Sequence, residues 1–214
     1  MNTIRLKNTL PQIFANQDSV TSEVWHQDIV FQKGKRYLIE AASGTGKSSL
    51  CSYLYGYRND YQGIICFNEH NIRSLSASDW VKIRNHSLSI LFQELRIFPE
   101  LTALENVMIK NKLTGSKSTQ EILSLFDALG ISSKSHVKAG QLSYGQQQRV
   151  AFIRSLCQPF DFILLDEPVS HLDDENNCII AHLLEQEVLR QGAGILTTSI
   201  GKPLKLTYDY IMKL

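Results

Sequence analysis

The chain has 214 residues, enough for one large domain or two small ones, and its 43% hydrophobic content allows a sizeable core. Its formal net charge is +1 with acidic and basic residues interspersed, which argues against the clustered Lys and Arg of a nucleic-acid-binding protein. The first ten residues lack the apolar stretch of a secretory signal, and no run approaches the roughly 18 apolar residues of a membrane helix. We therefore expect a cytoplasmic protein without direct membrane insertion, which reaches the inner face of the cell membrane only through a partner.

The cysteines are scattered and form no C-x-x-C pair, which fits neither a metal site nor a disulfide framework. We predict that they are small buried hydrophobic residues in a reducing compartment. They are Cys51, Cys66, Cys157 and Cys178.

The N-terminal part of the chain predicts strands. Residues 3–14 and 24–31 alternate weakly between apolar and polar side chains, as strands of an antiparallel sheet do. The apolar run in 36–40 predicts a buried strand that leads into a glycine-rich turn and then a helix from Lys47 to about Leu54. Two further short strands are predicted at Ile64–Phe67 and Leu88–Phe92.

The middle of the chain, from about 94 to 157, becomes mainly helical. Thr102 can cap one helix, and Ser118 with Glu121 three residues later forms a capping box for another. Gly130 stands where that second helix should end.

The last part of the chain returns to alternating strands and helices. The near-continuous apolar run Phe160–Leu165 predicts a central parallel strand covered on both faces. Asp173 or Asp174 can cap a long helix to Gln191 that Gly192 ends. Two final strands are predicted near 194–198 and 208–214.

This order of elements implies an α/β fold with a parallel-sheet core and an N-terminal antiparallel β subdomain. The core would comprise about residues 1–93 and 158–214, and residues 94–157 would form an inserted helical subdomain. Because the sequence contains no internal repeat and no low-complexity linker, we expect a single domain over 1–214.

The strand, turn and helix around Lys47 predict a phosphate-binding loop. Backbone N–H groups at such a helix start face a polyphosphate, and Gly44 and Gly46 let the backbone wrap closely around it. Lys47 would reach the β- and γ-phosphates, and the Ser48 hydroxyl would ligate Mg²⁺. The loop residues predicted to bind ATP are Ser43, Gly44, Thr45, Gly46, Lys47, Ser48 and Ser49.

The loop departs from the usual pattern G-x-x-x-x-G-K-[ST] at Ala41, where the pattern has glycine. Alanine is tolerable there if its φ is negative, which strand ends usually allow. The alternative interpretation is a chance glycine-rich turn, which the preceding strand and following helix disfavour.

Four segments downstream of this loop resemble motifs of ATP-binding cassette (ABC) proteins. Leu142–Arg149 is similar to the signature motif, and Phe162–Pro168 is similar to the Walker B strand. Ser170–Asp173 resembles the D-loop, and Leu91–Glu94 resembles the Q-loop. The motifs follow the family's order over essentially the whole chain, and Phe98–Val107 is most similar to transporter subunits of the lipoprotein-release and macrolide-export type.

The resemblance implies a P-loop NTPase core that binds ATP and Mg²⁺. Asp166 would hold the metal ion together with Ser48 and Gln93. Glu167 would polarise the attacking water as general base, and Gln93 would sense the γ-phosphate as a second catalytic residue. The alternatives are an acidic helix cap for Asp166 and Glu167, and an ordinary surface glutamine for Gln93.

The signature motif implies a second anion site that acts in a dimer. Its helix begins near Ser143 and Gly145, where N–H groups and the helix dipole attract an anion. The family places this site against the γ-phosphate of ATP on the other subunit, so a homodimer or a dimer with another ABC subunit is expected. The residues predicted to bind ATP in this way are Ser143, Gly145, Gln146 and Asp173.

Two aromatic residues compete for the adenine base. Phe14 falls where the family's adenine-stacking aromatic lies, and a π-face can stack on a base. Trp25 is the competitor, although its position is more typical of a core strand. Phe14 can equally be a core residue.

The switch histidine of the family is missing. Residues 195–200 carry hydroxyls and apolar side chains where it is expected, and the last histidine of the chain is His182. Thr198 or Ser199 can donate a hydrogen bond but cannot carry positive charge. We therefore expect ATP to bind and hydrolysis to be slow.

Two functions follow from the resemblance. The first is the energy-coupling subunit of a transporter, which passes movement to a separate transmembrane permease subunit through a groove that includes Phe98, Pro99 and Leu101. The second is an ATP-dependent clamp that hydrolyses ATP slowly if at all and holds a partner.

Overall fold

A computed structural model describes residues 1–16 and 21–214. Its strands are β1 (Thr3–Pro11), β2 (Asp28–Gln32), β3 (Arg36–Glu40), β4 (Tyr61–Phe67), β5 (His70–Asn71), β6 (Leu88–Leu91), β7 (Phe162–Asp166), β8 (Gly194–Ser199) and β9 (Tyr210–Lys213). Its α-helices are α1 (Lys47–Leu54), α2 (Ala77–His86), α3 (Ala103–Asn111), α4 (Thr119–Ala128), α5 (Tyr144–Leu156) and α6 (Asp174–Gln191). Within these residues, no helix is long and apolar enough to cross a membrane.

The core of the molecule is a parallel sheet with the strand order β6-β7-β8-β3-β9. Every residue of β7 is buried, as expected for a central strand covered on both faces. The carboxyl ends of β3, β6, β7 and β8 lie along one edge of the sheet, which is where α/β proteins bind ligands. The second sheet is antiparallel with the order β2-β1-β4-β5. The predicted α/β class is therefore confirmed.

Helices α3, α4 and α5 lie between β6 and β7 in the chain, although these two strands are neighbours in the sheet. Each of the three helices begins with a capping box, in which a hydroxyl and a side chain three residues later exchange hydrogen bonds with the backbone. The caps at Thr102 and Ser118 are those that the sequence predicts. Gly130 has a φ of 65° just after α4, so the predicted end of this helix is also confirmed.

Some element boundaries differ from the sequence prediction. The strand predicted over 3–14 ends at Pro11, and Gln12–Phe14 forms a 3₁₀ helix. The strand predicted over 24–31 begins only at Asp28, because Val24 and Trp25 are buried in a turn. The central strand predicted from 160 begins at Phe162.

Helix α2 is absent from the sequence prediction. None of its residues is fully buried, and only Trp80 and Ile83, three positions apart, pack against the core, so its apolar face is short. The available signal was local: Ser76 and Asp79 form a capping box at its start.

The prediction of buried cysteines is half wrong. Cys51 and Cys157 are buried, and burial raises the pKa of both thiols. Cys66 is only partly buried, and Cys178 is exposed on α6 because its neighbour Asn177, one position earlier, takes the inward-facing place.

Candidate nucleotide site

The loop between β3 and α1 has the backbone that its glycines predict. Gly44 and Gly46 have φ values of 83° and 100°, in the region that side chains with a Cβ rarely adopt. A Cβ on Gly46 would also lie only 3.2 Å from the rings of Phe14 and Trp25. Ala41 does not adopt a positive φ, and its N–H donates to the Ser199 carbonyl at 3.1 Å. Alanine is thus accommodated because this position extends the strand pairing.

Lys47 is the buried cation of the loop, with 5% of its surface exposed. Its Nζ donates to the carbonyl oxygens of Ala42 at 2.7 Å and Ala41 at 3.4 Å. The same atom lies 3.7 Å from Oε1 of Glu167. The lysine is therefore held between the loop and the first acidic residue after β7, at the carboxyl edge of the sheet.

A cluster of oxygen ligands lies next to the loop. The Ser48 hydroxyl donates to Oε1 of Gln93 at 3.1 Å, and Asp166 accepts a hydrogen bond from Oγ1 of Thr198 at 2.7 Å. Burial raises the pKa of Asp166, and hydrogen bonds from Ser48 and Thr198 oppose this shift. Hydroxyl, amide and carboxylate oxygens are the donors that Mg²⁺ prefers, so these residues fit the metal ion. The described residues contain no group of three or more His, Cys, Asp or Glu side chains that fits a metal ion.

Thr198 joins the two acidic residues at the end of β7. Besides donating to Asp166, its Oγ1 accepts the backbone N–H of Glu167 at 3.3 Å. Glu167 has a φ of 51°, in the left-handed region that non-glycine residues seldom occupy and that often marks functional sites. The Thr198 hydroxyl is therefore committed to holding this strand end and is not free to replace a histidine.

Replacing Thr198 by valine is expected to lower the free energy of unfolding by about 1.5–3 kcal/mol, because the buried carboxylate of Asp166 loses one of its hydrogen-bond donors. The neighbouring Thr197→Val is the matched control: both threonines are fully buried, but the Thr197 hydroxyl has no partner within the described residues. Removing the Thr197 hydroxyl should leave the free energy of unfolding unchanged or raise it. Urea unfolding at pH 7 measures both changes, and equal losses would contradict the assignment.

An open pocket of about 280 Å³ joins the loop, Gln93 and Glu167. Its lining residues are Ile13, Phe14, Ser43, Gly44, Gly46, Lys47, Ser48, Ser49, Arg58, Gln93, Glu167 and Ile200. Thr45 lies on an adjoining pocket that also contains Phe14 and Trp25. Most of the residues predicted to meet the same nucleotide are therefore brought together.

The two aromatic candidates have different positions. Phe14 is half-buried and lines the pocket beside the loop. Trp25 is buried, and its indole Nε1 donates to the Thr45 carbonyl at 3.1 Å. Trp25 is thus a core residue as predicted, but it lies in a turn and braces the loop instead of continuing a strand.

Sequence reasoning missed two residues of the pocket, Ile13 and Arg58, whereas Ile200 belongs to the stretch in which the switch histidine was expected. Arg58 donates from one terminal nitrogen to the Ser49 hydroxyl at 2.9 Å and from Nε to Asp60 at 2.9 Å. It lies in the turn after α1, and only the folded chain returns its side chain to the loop. No sequence pattern indicates this contact.

The signature residues do not line this pocket. Ser143 is the N-cap of α5, where its Oγ accepts the Gln146 N–H at 3.4 Å and its own N–H donates to the Gln146 side chain at 3.0 Å. Gly145 lies in the first turn of this helix. Asp173 caps α6 by accepting the N–H of Asn176 at 2.8 Å. Together with Tyr144 and Gln146, these residues form the signature surface. It adjoins the pocket without lining it, because the Tyr144 hydroxyl donates to the Gln93 carbonyl at 3.0 Å.

The family model described as "ABC transporter" matches residues 26–170. An uncharacterized ABC transporter ATP-binding protein, YclH of Bacillus subtilis, is 35% identical over 162 residues, which cover 74% of this chain and 70% of the relative. The lipoprotein-releasing system ATP-binding protein LolD of Saccharophagus degradans is 35% identical over 162 residues, 74% of this chain and 71% of that protein.

The fold also matches solved structures. One is described as the dimeric structure of MJ0796, a bacterial ABC transporter cassette, with a TM-score of 0.76 and 26% identity. The match covers 92% of this chain and 87% of that chain. Another is the same cassette as a dimer in a post-hydrolysis state with ADP and Pi, with a TM-score of 0.75, 26% identity and the same coverage.

Proposed function

Because this chain belongs to the ABC transporter family, we propose that it is the subunit that binds Mg-ATP between two copies and couples its hydrolysis to movement of a separate membrane permease. The observation that carries this proposal is the pocket that joins Lys47, Ser48, Gln93 and Glu167 at the carboxyl edge of the sheet. The activity is tested by measuring phosphate release from ATP, which should fall when Lys47 or Glu167 is replaced.

Each residue of the pocket has a chemical task in this proposal. Lys47 and the loop N–H groups bind the β- and γ-phosphates. Glu167 takes a proton from the attacking water, and Gln93 orients that water. When bound, Mg²⁺ neutralises phosphate charge, and Ser48, Gln93 and Asp166 would hold it.

The dimer in this proposal explains the role of the signature surface. Ser143, Gly145, Gln146 and Asp173 do not line the pocket of their own chain, so we assign them to the nucleotide of the other copy. The similar MJ0796 cassette is dimeric, which supports this arrangement. Adenine would stack on Phe14, which lines the pocket beside the loop.

The alternative function is a clamp that hydrolyses ATP slowly. It is favoured by Ser199, which occupies the end of β8 near the loop and has a buried hydroxyl without a partner in the described part of the chain. A hydroxyl at this place cannot supply the positive charge of an imidazole. The presence of Glu167 favours hydrolysis.

We propose that the permease docks in a groove between the parallel sheet and the α3–α5 helices. The groove has a volume of about 260 Å³, and it is lined by both aromatic and positively charged side chains. Arg96 lies over the ring of Phe92 at 3.8 Å, and Lys110 is half-buried beside Arg154. The aromatic lining residues are Tyr55, Tyr57, Phe92 and Phe98.

Uncompensated charge indicates the chemistry of the permease segment. Burial, then Arg154 and Arg84, lowers the pKa of Lys110 to about 8. Burial likewise lowers the pKa of Arg154. Within the described residues, no carboxylate forms an ion pair with Lys110, Arg84 or Arg154. Elsewhere in the chain, buried cations do have such partners, as in the Lys117–Glu187 ion pair. A segment with an apolar side chain and a carboxylate would complement this groove.

Lys110→Met is expected to stabilise the isolated chain below pH 8 and to lose that advantage as the pH rises towards 10.5. Between these values the unfolded chain binds a proton that the folded chain lacks, so the wild-type free energy of unfolding rises with pH. Urea unfolding at pH 7 and pH 9.5 measures the difference, with the exposed Lys112→Met as control. An advantage of equal size at both pH values would contradict the burial of an unpaired charge.

A further inference from the structure

His171 lies on the signature surface, although it belongs to the segment after β7. Its side chain is exposed, and its ring meets the ring of Tyr144 edge-on at 4.5 Å between centroids. Its carbonyl oxygen is 3.7 Å from where a Cβ on Gly145 would lie. The ring is therefore presented beside the start of α5.

The contact with Ser170 leaves one nitrogen of this imidazole free. The Ser170 hydroxyl donates to the Glu167 carbonyl at 3.3 Å and lies 2.9 Å from Nδ1 of His171. In the tautomer with the ring hydrogen on Nδ1, this nitrogen donates to Ser170 Oγ and Nε2 keeps a lone pair. Nε2 has no partner within the described residues.

The nucleotide pocket of the same chain has no imidazole. Its lining residues include no histidine, and the strand end beside the loop carries Ser199 and then Ile200. Ile200 is 46% exposed and lines the pocket, so this side of the pocket is open to a group from outside the chain.

We propose that His171 of each copy enters the nucleotide pocket of the other copy and that its Nε2 accepts a hydrogen bond from the attacking water. This inference rests on the proposed function, because it requires a site shared by two copies. In the step, the water gives one proton to Glu167, its oxygen bonds to the γ-phosphorus, and the bond from that phosphorus to the ADP oxygen breaks. His171 holds the water's other hydrogen and neither gains nor loses a proton.

Mixed dimers locate the effect of His171. One copy carries Lys47→Ala, so the remaining competent site uses the loop of the intact copy and the signature surface of the Lys47→Ala copy. His171→Ala on the Lys47→Ala copy is expected to lower single-turnover phosphate release about tenfold or more, because the water loses an orienting acceptor. The same substitution on the intact copy alters only the site that already lacks its lysine.

The outcomes are distinguished by which copy must carry His171→Ala for phosphate release to slow. Equal losses from the two placements indicate a structural role, and no loss from either placement overturns the inference. Absence of phosphate release and of ATP-driven dimerisation in the wild type would instead refute the proposed function.

Cross-linking tests the geometry independently of activity. His171→Cys is placed in one copy and Ile200→Cys in the other, both in a Glu167→Gln background with Cys66 and Cys178 replaced by serine. A short bismaleimide is expected to join the two copies only when Mg-ATP is present. Failure to cross-link in a dimer confirmed by light scattering overturns the inference.

Discussion

Lys47→Ala is expected to abolish most of the rise in melting temperature that Mg-ATP produces in the wild-type chain. Charge-assisted hydrogen bonds contribute about 1.5–3 kcal/mol, so their loss weakens binding roughly 10- to 100-fold. At an ATP concentration about 100 times the wild-type Kd, linkage stabilises the fold by about 2.7 kcal/mol. A variant that binds 100-fold more weakly retains only about 0.4 kcal/mol at that concentration. Differential scanning fluorimetry measures this change.

The control for this prediction is Lys112→Ala, which removes an exposed lysine at the end of α3. Each variant is compared with its own nucleotide-free melting temperature, because Lys47 also lies 3.7 Å from Glu167 and affects stability without ATP. A full nucleotide-dependent shift in Lys47→Ala would contradict the assignment of the loop.

Glu167→Gln is expected to lower phosphate release by about 10²–10⁴-fold and to leave ATP binding intact. An amide has the shape of the carboxylate but cannot take a proton from water, and positioned general bases contribute rate factors of this size. The backbone of Glu167, with its φ of 51°, is disturbed little because glutamine has the same length and branching. Single-turnover phosphate release measures the rate, and the thermal shift confirms binding.

A matched control is Glu175→Gln, which changes an exposed carboxylate in the first turn of α6 and should leave the rate unchanged. The comparison also separates the two candidate functions. If the wild type releases phosphate no faster than Glu167→Gln, the clamp is the better account of this protein.

The sequence alone predicts those parts of the site that depend on local structure. Helix α1 begins and ends where the pattern places it, because Gly46 and Lys47 determine both the turn and the helix start. The strand leading to Asp166 is recognisable because a central parallel strand must be apolar on both faces.

Contacts between distant segments were not predictable from the sequence. Arg58 reaches the pocket because its turn folds back onto Ser49, and Trp25 braces the loop from a turn that resembles a strand in its apolar content. The bridge from Thr198 to Asp166 arises from the pairing of β7 with β8. Such contacts depend on strand order, which single-residue patterns do not encode.

The mass of Glu167→Gln in solution, measured by multi-angle light scattering with and without Mg-ATP, tests most directly whether two copies share the nucleotide site. The variant should be a monomer without nucleotide and should double its mass when Mg-ATP saturates it. The added Lys47→Ala substitution should prevent the doubling. A monomer at an ATP concentration that gives the full thermal shift would contradict the shared site.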